Sequence, residues 1–201
     1  MSGIRIVRYA AWSVLALVLI SASVVFWQWP DNPRIERVAV NAFGGPFTLT
    51  DQRGNTVTEA ALKGQPSALF FGYTFCPDVC PTTLVEMSMW LEKLGPDADK
   101  LGVYFVTVDP ERDTQELLAE YLTAFDPRIT GLTGTPEAVG EIIEAYRVYA
   151  EKTPLDDGDY LMDHTSSIYL LDSDTAFTGT ISYQEDPDTA LAKLKRLANN
   201  S

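Results

Sequence analysis

The sequence predicts an α/β domain built on a mixed sheet, set behind one membrane-spanning helix. Two short runs, residues 67–73 (SALFFGY) and 101–108 (LGVYFVTV), are almost continuously apolar, as strands buried on both faces are. Each is followed by a helix-start signal, and strands alternating with helices are the order of a parallel-sheet core. Residues 10–29 carry no charged side chain. Twenty helical residues at about 1.5 Å each span about 30 Å, the thickness of a hydrocarbon core.

Taken in order, residues 1–9 form a short tail with Arg5 and Arg8, and residues 10–29 form a transmembrane anchor closed by Trp27 and Trp29 as interfacial aromatics. Ser21-Ala22-Ser23 also offers a signal-cleavage site, but the apolar run exceeds the usual core of about 7–15 residues. Arg34 and Arg37 offset Arg5 and Arg8, so charge leaves the orientation open. The short tail and single early span favour an inside N-terminus and an exported domain. Residues 30–46, punctuated by Pro and Gly, form a tether with a short strand around residues 38–40.

Residues 47–201 make up the domain. Residues 47–50 and 56–58 flank the turn-rich Asp51-Gln52-Arg53-Gly54-Asn55, giving an N-terminal β-hairpin. The strand at 67–73 runs directly to Cys76. Pro81 suits a first helical position, and the helix at 82–94 presents Leu84, Met87, Leu91 and Leu94 before Gly95-Pro96 ends it. After the strand at 101–108, Asp113 and Glu116 form a capping signature for a helix from Thr114 to about Phe125. Thr135-Pro136-Glu137 starts another helix, running through Ala145 towards a strand at 147–152. Residues 167–171 and 177–183 read as two strands before a closing helix from about Pro187 to Leu197. A thiol pair at the first helix entrance of this series makes the arrangement thioredoxin-like, with the hairpin as an N-terminal extension.

The chain has 28 acidic against 15 basic side chains, a formal net charge of −13, with Arg5 and Arg8 lying before the apolar run. Nucleic acid and anionic lipid are poor partners for such a surface. Solvation explains the acidity; steering of a basic protein or a cation is the sharper alternative.

The chemistry lies in three residues. Cys76 and Cys80 are the only cysteines and His164 the only histidine. Residues four apart at a helix entrance face the same way, so both sulfurs can point at one ion. Two soft thiolates and an imidazole suit copper or zinc and leave a position open for exchange. Deprotonating a thiol at pH 7 costs about 2 kcal/mol, against roughly 10 kcal/mol or more from a thiolate-rich metal site. Asp78 between the thiols opposes their ionisation and favours a bound cation, while the helix N-terminus acts the other way. A structural disulfide accounts equally well for the spacing, and a backbone-bonded histidine for His164.

FGYTFCPDVCPTTL, VTVDPERDT, GLTGTPEAV, AYRVYAEKT and DYLMDHTSSIYLLD, in this order, resemble the Sco/SenC family of membrane-anchored copper proteins of cytochrome c oxidase assembly. The resemblance covers roughly residues 47–183. It implies a thioredoxin-like fold, copper as Cu(I) or Cu(II) on Cys76, Cys80 and His164, and supporting roles for Asp78 and Asp163 beside the ligands. Some members carry histidine where this chain has Phe75, so the copper set here loses an alternative donor and the loop becomes more apolar. Asp109-Pro110-Glu111-Arg112-Asp113 is also shared, and helix capping with an Arg112 ion pair explains most of it. Residues 160–162 precede His164 in an acidic loop with Asp156, Asp157 and Asp159 that could open for metal transfer.

The resemblance further implies delivery of copper to the CuA centre of an oxidase subunit, an upstream copper donor, and no catalytic turnover. The competing function is a thiol–disulfide oxidoreductase that keeps the CuA cysteines of the target reduced, the same Cys76–Cys80 pair then cycling through a disulfide. The three-residue spacing, Asp78, and the lack of proline between Pro154 and Pro187, where such reductases place a cis-proline, argue against it. A thiol peroxidase is weaker still, because it needs an activated low-pKa cysteine. The lack of a long basic transit segment before the anchor points to a bacterial inner membrane, with the domain on the periplasmic side.

Overall fold

The structure is a computed structural model that describes residues 43–199 except Asp157, together with Tyr9, Trp12, Leu19 and Ser21. Among the described residues no helix is long and apolar enough to cross a membrane. The anchor expected at 10–29 lies, but for Trp12, Leu19 and Ser21, outside the described residues, as does the strand expected around 38–40.

The body is a seven-stranded mixed sheet in the order β2-β1-β5-β4-β3-β8-β9, where β1 is Thr48–Asp51, β2 Thr56–Thr58, β3 Ser67–Gly72, β4 Gly102–Thr107, β5 Ile129–Thr133, β8 Ile168–Leu171 and β9 Phe177–Ile181. β3, β4 and β5 run parallel, and the remaining pairings are antiparallel. β6 (Ala150–Pro154) and β7 (Tyr160–His164) form a separate antiparallel ribbon. The helices are α1 (Val79–Leu94), α2 (Gln115–Leu122), α3 (Pro136–Ala145) and α4 (Pro187–Asn199).

β3 is buried at every position because it is a central strand covered on both faces. Phe70 packs towards Phe105 and through it Tyr121 of α2, while its neighbour Phe71 packs towards Tyr146 and Tyr169 on the other face. α1 and α4 pack against each other. The expected hairpin is β1–β2, and its turn is built by Asp51, whose Oδ1 accepts from the backbone N–H of Arg53 and Asn55 at 2.8 Å each, with Gly54 at φ +87.

Several sequence expectations shift. α1 begins two residues before Pro81, which is tolerated because first-turn N–H groups have no intrahelical acceptor. Thr114, not Asp113, caps α2, its side chain accepting from the Leu117 N–H at 3.3 Å. Thr135 caps α3 with Pro136 as its first residue, as expected. The strand expected at 147–152 is β6, three residues later, because Arg147 takes φ +53 just after α3. Of the acidic loop expected before His164, Asp156 and Asp159 lie in the connection between β6 and β7, but residues 160–162 are part of strand β7, paired along its length with β6. β5 is an unexpected strand that joins the hairpin to the sheet.

Candidate metal centre

β3 ends at Gly72 in the middle of the sheet and releases the chain into the loop carrying Cys76. Cys80 is the second residue of α1, fully buried, while Cys76 is half-buried before the helix. The Cys80 N–H donates to Cys76 Sγ at 3.4 Å, and the Cys80 sulfur lies 3.5 Å from His164 Nε2. One ligand atom from each of Cys76, Cys80 and His164 lies within 4.8 Å of the other two. The structure therefore brings together residues from a helix entrance and from the end of a ribbon far along the chain. Soft-metal bonds of about 2.0–2.3 Å place ligand atoms on a trigonal ion about 3.5–4 Å apart. The set needs contraction of only about 1 Å or less to close on a metal.

The histidine is oriented for this. Its Nδ1 lies 2.9 Å from the Thr165 carbonyl, which can only accept, so Nδ1 carries the proton and Nε2 presents its lone pair to the thiols. The ring is boxed edge-on by Tyr73 (centroids 5.7 Å apart) and Phe70 (6.5 Å). Both cysteines are free thiols. The hydrogen bond with the Cys80 thiol pulls the Cys76 pKa far down against the opposing effect of burial, with further help from the N–H groups of Asp78 and Cys80. The same bond, reinforced by burial, pushes Cys80 up. The two sulfurs share a hydrogen bond that favours ionisation of Cys76 over Cys80, and a cation drawing in both sulfurs displaces the proton between them.

Asp78 occupies the helix N-cap without a side-chain cap bond; its side chain is exposed, and the Cys76 sulfur meets its N–H rather than its carboxylate. Asp163 alternates with His164 along β7, so it faces away from the thiols, and its carboxylate accepts from Thr153 Oγ1 at 3.0 Å. Neither carboxylate joins the ligand cluster.

Gly72 is a site residue that the sequence pattern does not reveal. A Cβ there would stand 2.8 Å from Cys80 Sγ and 2.7 Å from a Phe105 ring carbon. Gly72→Ala is expected to destabilise the fold by about 1–3 kcal/mol and displace the Cys80 sulfur. Urea unfolding with a thiol-accessibility assay checks this; unchanged stability and Cys80 reactivity would count against the tight seat.

The 109–113 segment surrounds the site. Asp113 is fully buried and accepts from the Thr74 N–H at 3.0 Å, the Thr74 hydroxyl at 2.6 Å and the Thr107 hydroxyl at 2.7 Å, which pins the start of the thiol loop. Burial raises its pKa, and the threonine bonds only partly offset this. The Arg112 Nε donates to buried Asp109, whose other oxygen accepts from the Tyr160 hydroxyl at 2.9 Å.

A thioredoxin-like domain with a Cys-x3-Cys pair and a histidine converging on one soft-metal position is the class that fold and geometry define. The chain belongs to the SCO1/SenC family, whose model matches residues 36–199. It is 52% identical to Bradyrhizobium japonicum ScoI, solved with copper bound, over 78% of this chain and 99% of that one, with a TM-score of 0.73. Yeast Sco1 with copper bound is 38% identical over 80% of this chain and 90% of that one, with a TM-score of 0.72. The mitochondrial protein SCO2 of Saccharomyces cerevisiae is 41% identical over 158 residues, 77% of this chain and 52% of its own length. The chain spans about half the length of several curated relatives it matches.

Proposed function

We propose that the chain is a membrane-anchored copper protein that binds one copper through Cys76, Cys80 and His164 and delivers it to the CuA centre of a cytochrome c oxidase subunit. The convergence of two sulfurs and a correctly protonated imidazole on one position carries the reading. Copper-bound relatives that share the fold support the choice of metal. The two thiolates suit Cu(I), and adding the imidazole suits Cu(II). Transfer is ligand exchange: a thiolate of the recipient enters the open position as a host ligand leaves, with no net oxidation. An upstream donor loads the site by the same exchange in reverse.

The domain organisation follows the sequence: anchor at 10–29, tether at 30–46 and copper domain at 47–201. An inner-membrane location in a bacterium, with the domain exported, is supported by the uncharged run and by the high identity to the Bradyrhizobium protein.

One observation favours the second reading, thiol–disulfide exchange with the recipient's cysteines. Cys76 is half-buried and its pKa is drawn down by the Cys80 thiol, which favours it as the attacking sulfur, with Cys80 behind it to close the disulfide. Titration of the reduced chain separates the two: one copper bound per chain, with metal-free insulin reduction far slower than a dedicated reductase, is the expected result. No stoichiometric copper together with fast disulfide reduction would reverse the assignment.

A further inference from the structure

The ribbon that carries His164 shares no strand pairing with the seven-stranded sheet. Met162 anchors it in the core and the Tyr73 hydroxyl meets the Met162 N–H, and three further bridges come from one short segment of the body. Asp109 accepts from the Tyr160 hydroxyl at 2.9 Å; Glu111 pairs with Lys152 at 2.6 Å; Arg112 Nη1 donates to Asp159 Oδ1 at 2.9 Å and to the Tyr160 carbonyl at 3.0 Å. The Glu111–Lys152 pair is exposed and contributes little. Arg112 differs: its side chain is 16% exposed, and its Nε is paired with a carboxylate that is fully buried.

Arg112 also reaches the other half of the site. Its guanidinium lies 3.7 Å from the Tyr160 ring centroid and 4.8 Å from that of Phe75, the residue before Cys76. Its Nη2 is buried without a hydrogen-bond partner among the described residues, in a guanidinium flanked by aromatic rings. One planar cation thus touches both the segment that supplies the sulfurs and the ribbon that supplies the nitrogen. Lysine cannot reproduce this, because it lacks both the fork and the stacking plane.

We propose that Arg112 is a positioning residue that latches the His164 ribbon to the thiol loop, and so decides whether copper is held with or without its nitrogen ligand. The inference rests on the copper reading above. Both sulfurs sit on one short stretch of chain that Asp113 pins at its start and α1 holds at its end, so Arg112 only covers it, whereas the imidazole arrives on the ribbon that Arg112 binds. With the latch closed, the site holds Cu(II) on two sulfurs and a nitrogen. With it open, a dithiolate site remains that suits Cu(I) and has room for an incoming thiolate.

The test uses the full chain in detergent, as wild type, Arg112→Ala, Arg112→Lys and Asp159→Asn, each also combined with His164→Ala. In the metal-free protein, amide exchange across residues 160–164 is expected to quicken in Arg112→Ala and Asp159→Asn while residues 67–72 keep their protection. Cu(II) affinity should fall about 10–100-fold in Arg112→Ala, the range for loss of a residue that orients a ligand. Cu(I) affinity should stay near wild type, Arg112→Lys should not restore the Cu(II) absorption spectrum, and Arg112→Ala should add nothing once His164 is alanine. Equal loss of both oxidation states, a full effect persisting without His164, or unchanged ribbon exchange would overturn the latch. If Arg112→Ala does not fold, Asp159→Asn decides the matter by the same readouts. A wild type that binds no copper, with the ribbon still loosening in Arg112→Ala as described, would refute the copper reading and leave the latch standing.

Discussion

Cys80→Ser is expected to lower copper affinity by two to three orders of magnitude in both oxidation states. A thiolate-rich site gains on the order of 10 kcal/mol from three or four ligands, so one thiolate is worth roughly 3–4 kcal/mol, or 100–1000-fold. The fold should survive, because the buried position offers the replacement hydroxyl the Tyr73 backbone N–H that the sulfur now uses. His164→Ala should separate from this result. It removes the donor that completes the Cu(II) set, so Cu(II) retention should drop severely while Cu(I), held by both sulfurs, stays within about tenfold. Competition titrations with a Cu(I) chelator and, separately, a Cu(II) chelator check both variants. Cys80→Ser binding as tightly as wild type would show that the sulfur is no ligand.

The second large effect lies outside the ligand set. Asp113→Ala is expected to cost about 2–4 kcal/mol of stability, because it strands the Thr74 N–H and two threonine hydroxyls at a buried position. The pH dependence has a definite sign. Burial raises the folded-state pKa of Asp113, so its contribution is fully present below the unfolded carboxylate value and declines as pH rises through the raised folded value. Urea unfolding across the acidic range should therefore show that Asp113→Ala loses this decline. A variant as stable as wild type, with the same pH profile, would remove Asp113 as the anchor of the thiol loop.

The parts of the fold legible in the sequence were those where burial is two-sided or caps are local. SALFFG and GVYFVT are central strands with no exposed side chain, so their apolar runs could only be core. Thr135-Pro136 is a cap followed by a first-turn proline, and α3 starts there. β5 was hidden because Ile-Thr-Gly-Leu-Thr looks like a polar connection. Gly131 is there because a Cβ would stand 2.5 Å from a Leu122 methyl, so α2 packs directly on the strand between its buried Ile129 and Leu132. β7 was hidden because it is short, its Asp163 faces solvent and its partner strand bears little apolar signal.

The ligand identities at the centre could be read because the chain has so few soft donors; what holds them could not. Asp113 looked like a helix cap because its spacing to Glu116 matches one, while its bonds run back to Thr74, 39 residues away. Phe75 looked only like a missing donor, yet its ring lies under the Arg112 guanidinium. Such roles depend on long-range contacts, which local spacing does not encode.

The central claim is tested most directly by X-ray absorption on the Cu(II)-loaded chain, compared with His164→Ala. Two sulfur donors and one imidazole nitrogen around one copper, with the nitrogen contribution lost in the variant, is the predicted result. A copper shell made only of oxygen and nitrogen, or a wild-type spectrum indistinguishable from that of His164→Ala, would contradict it.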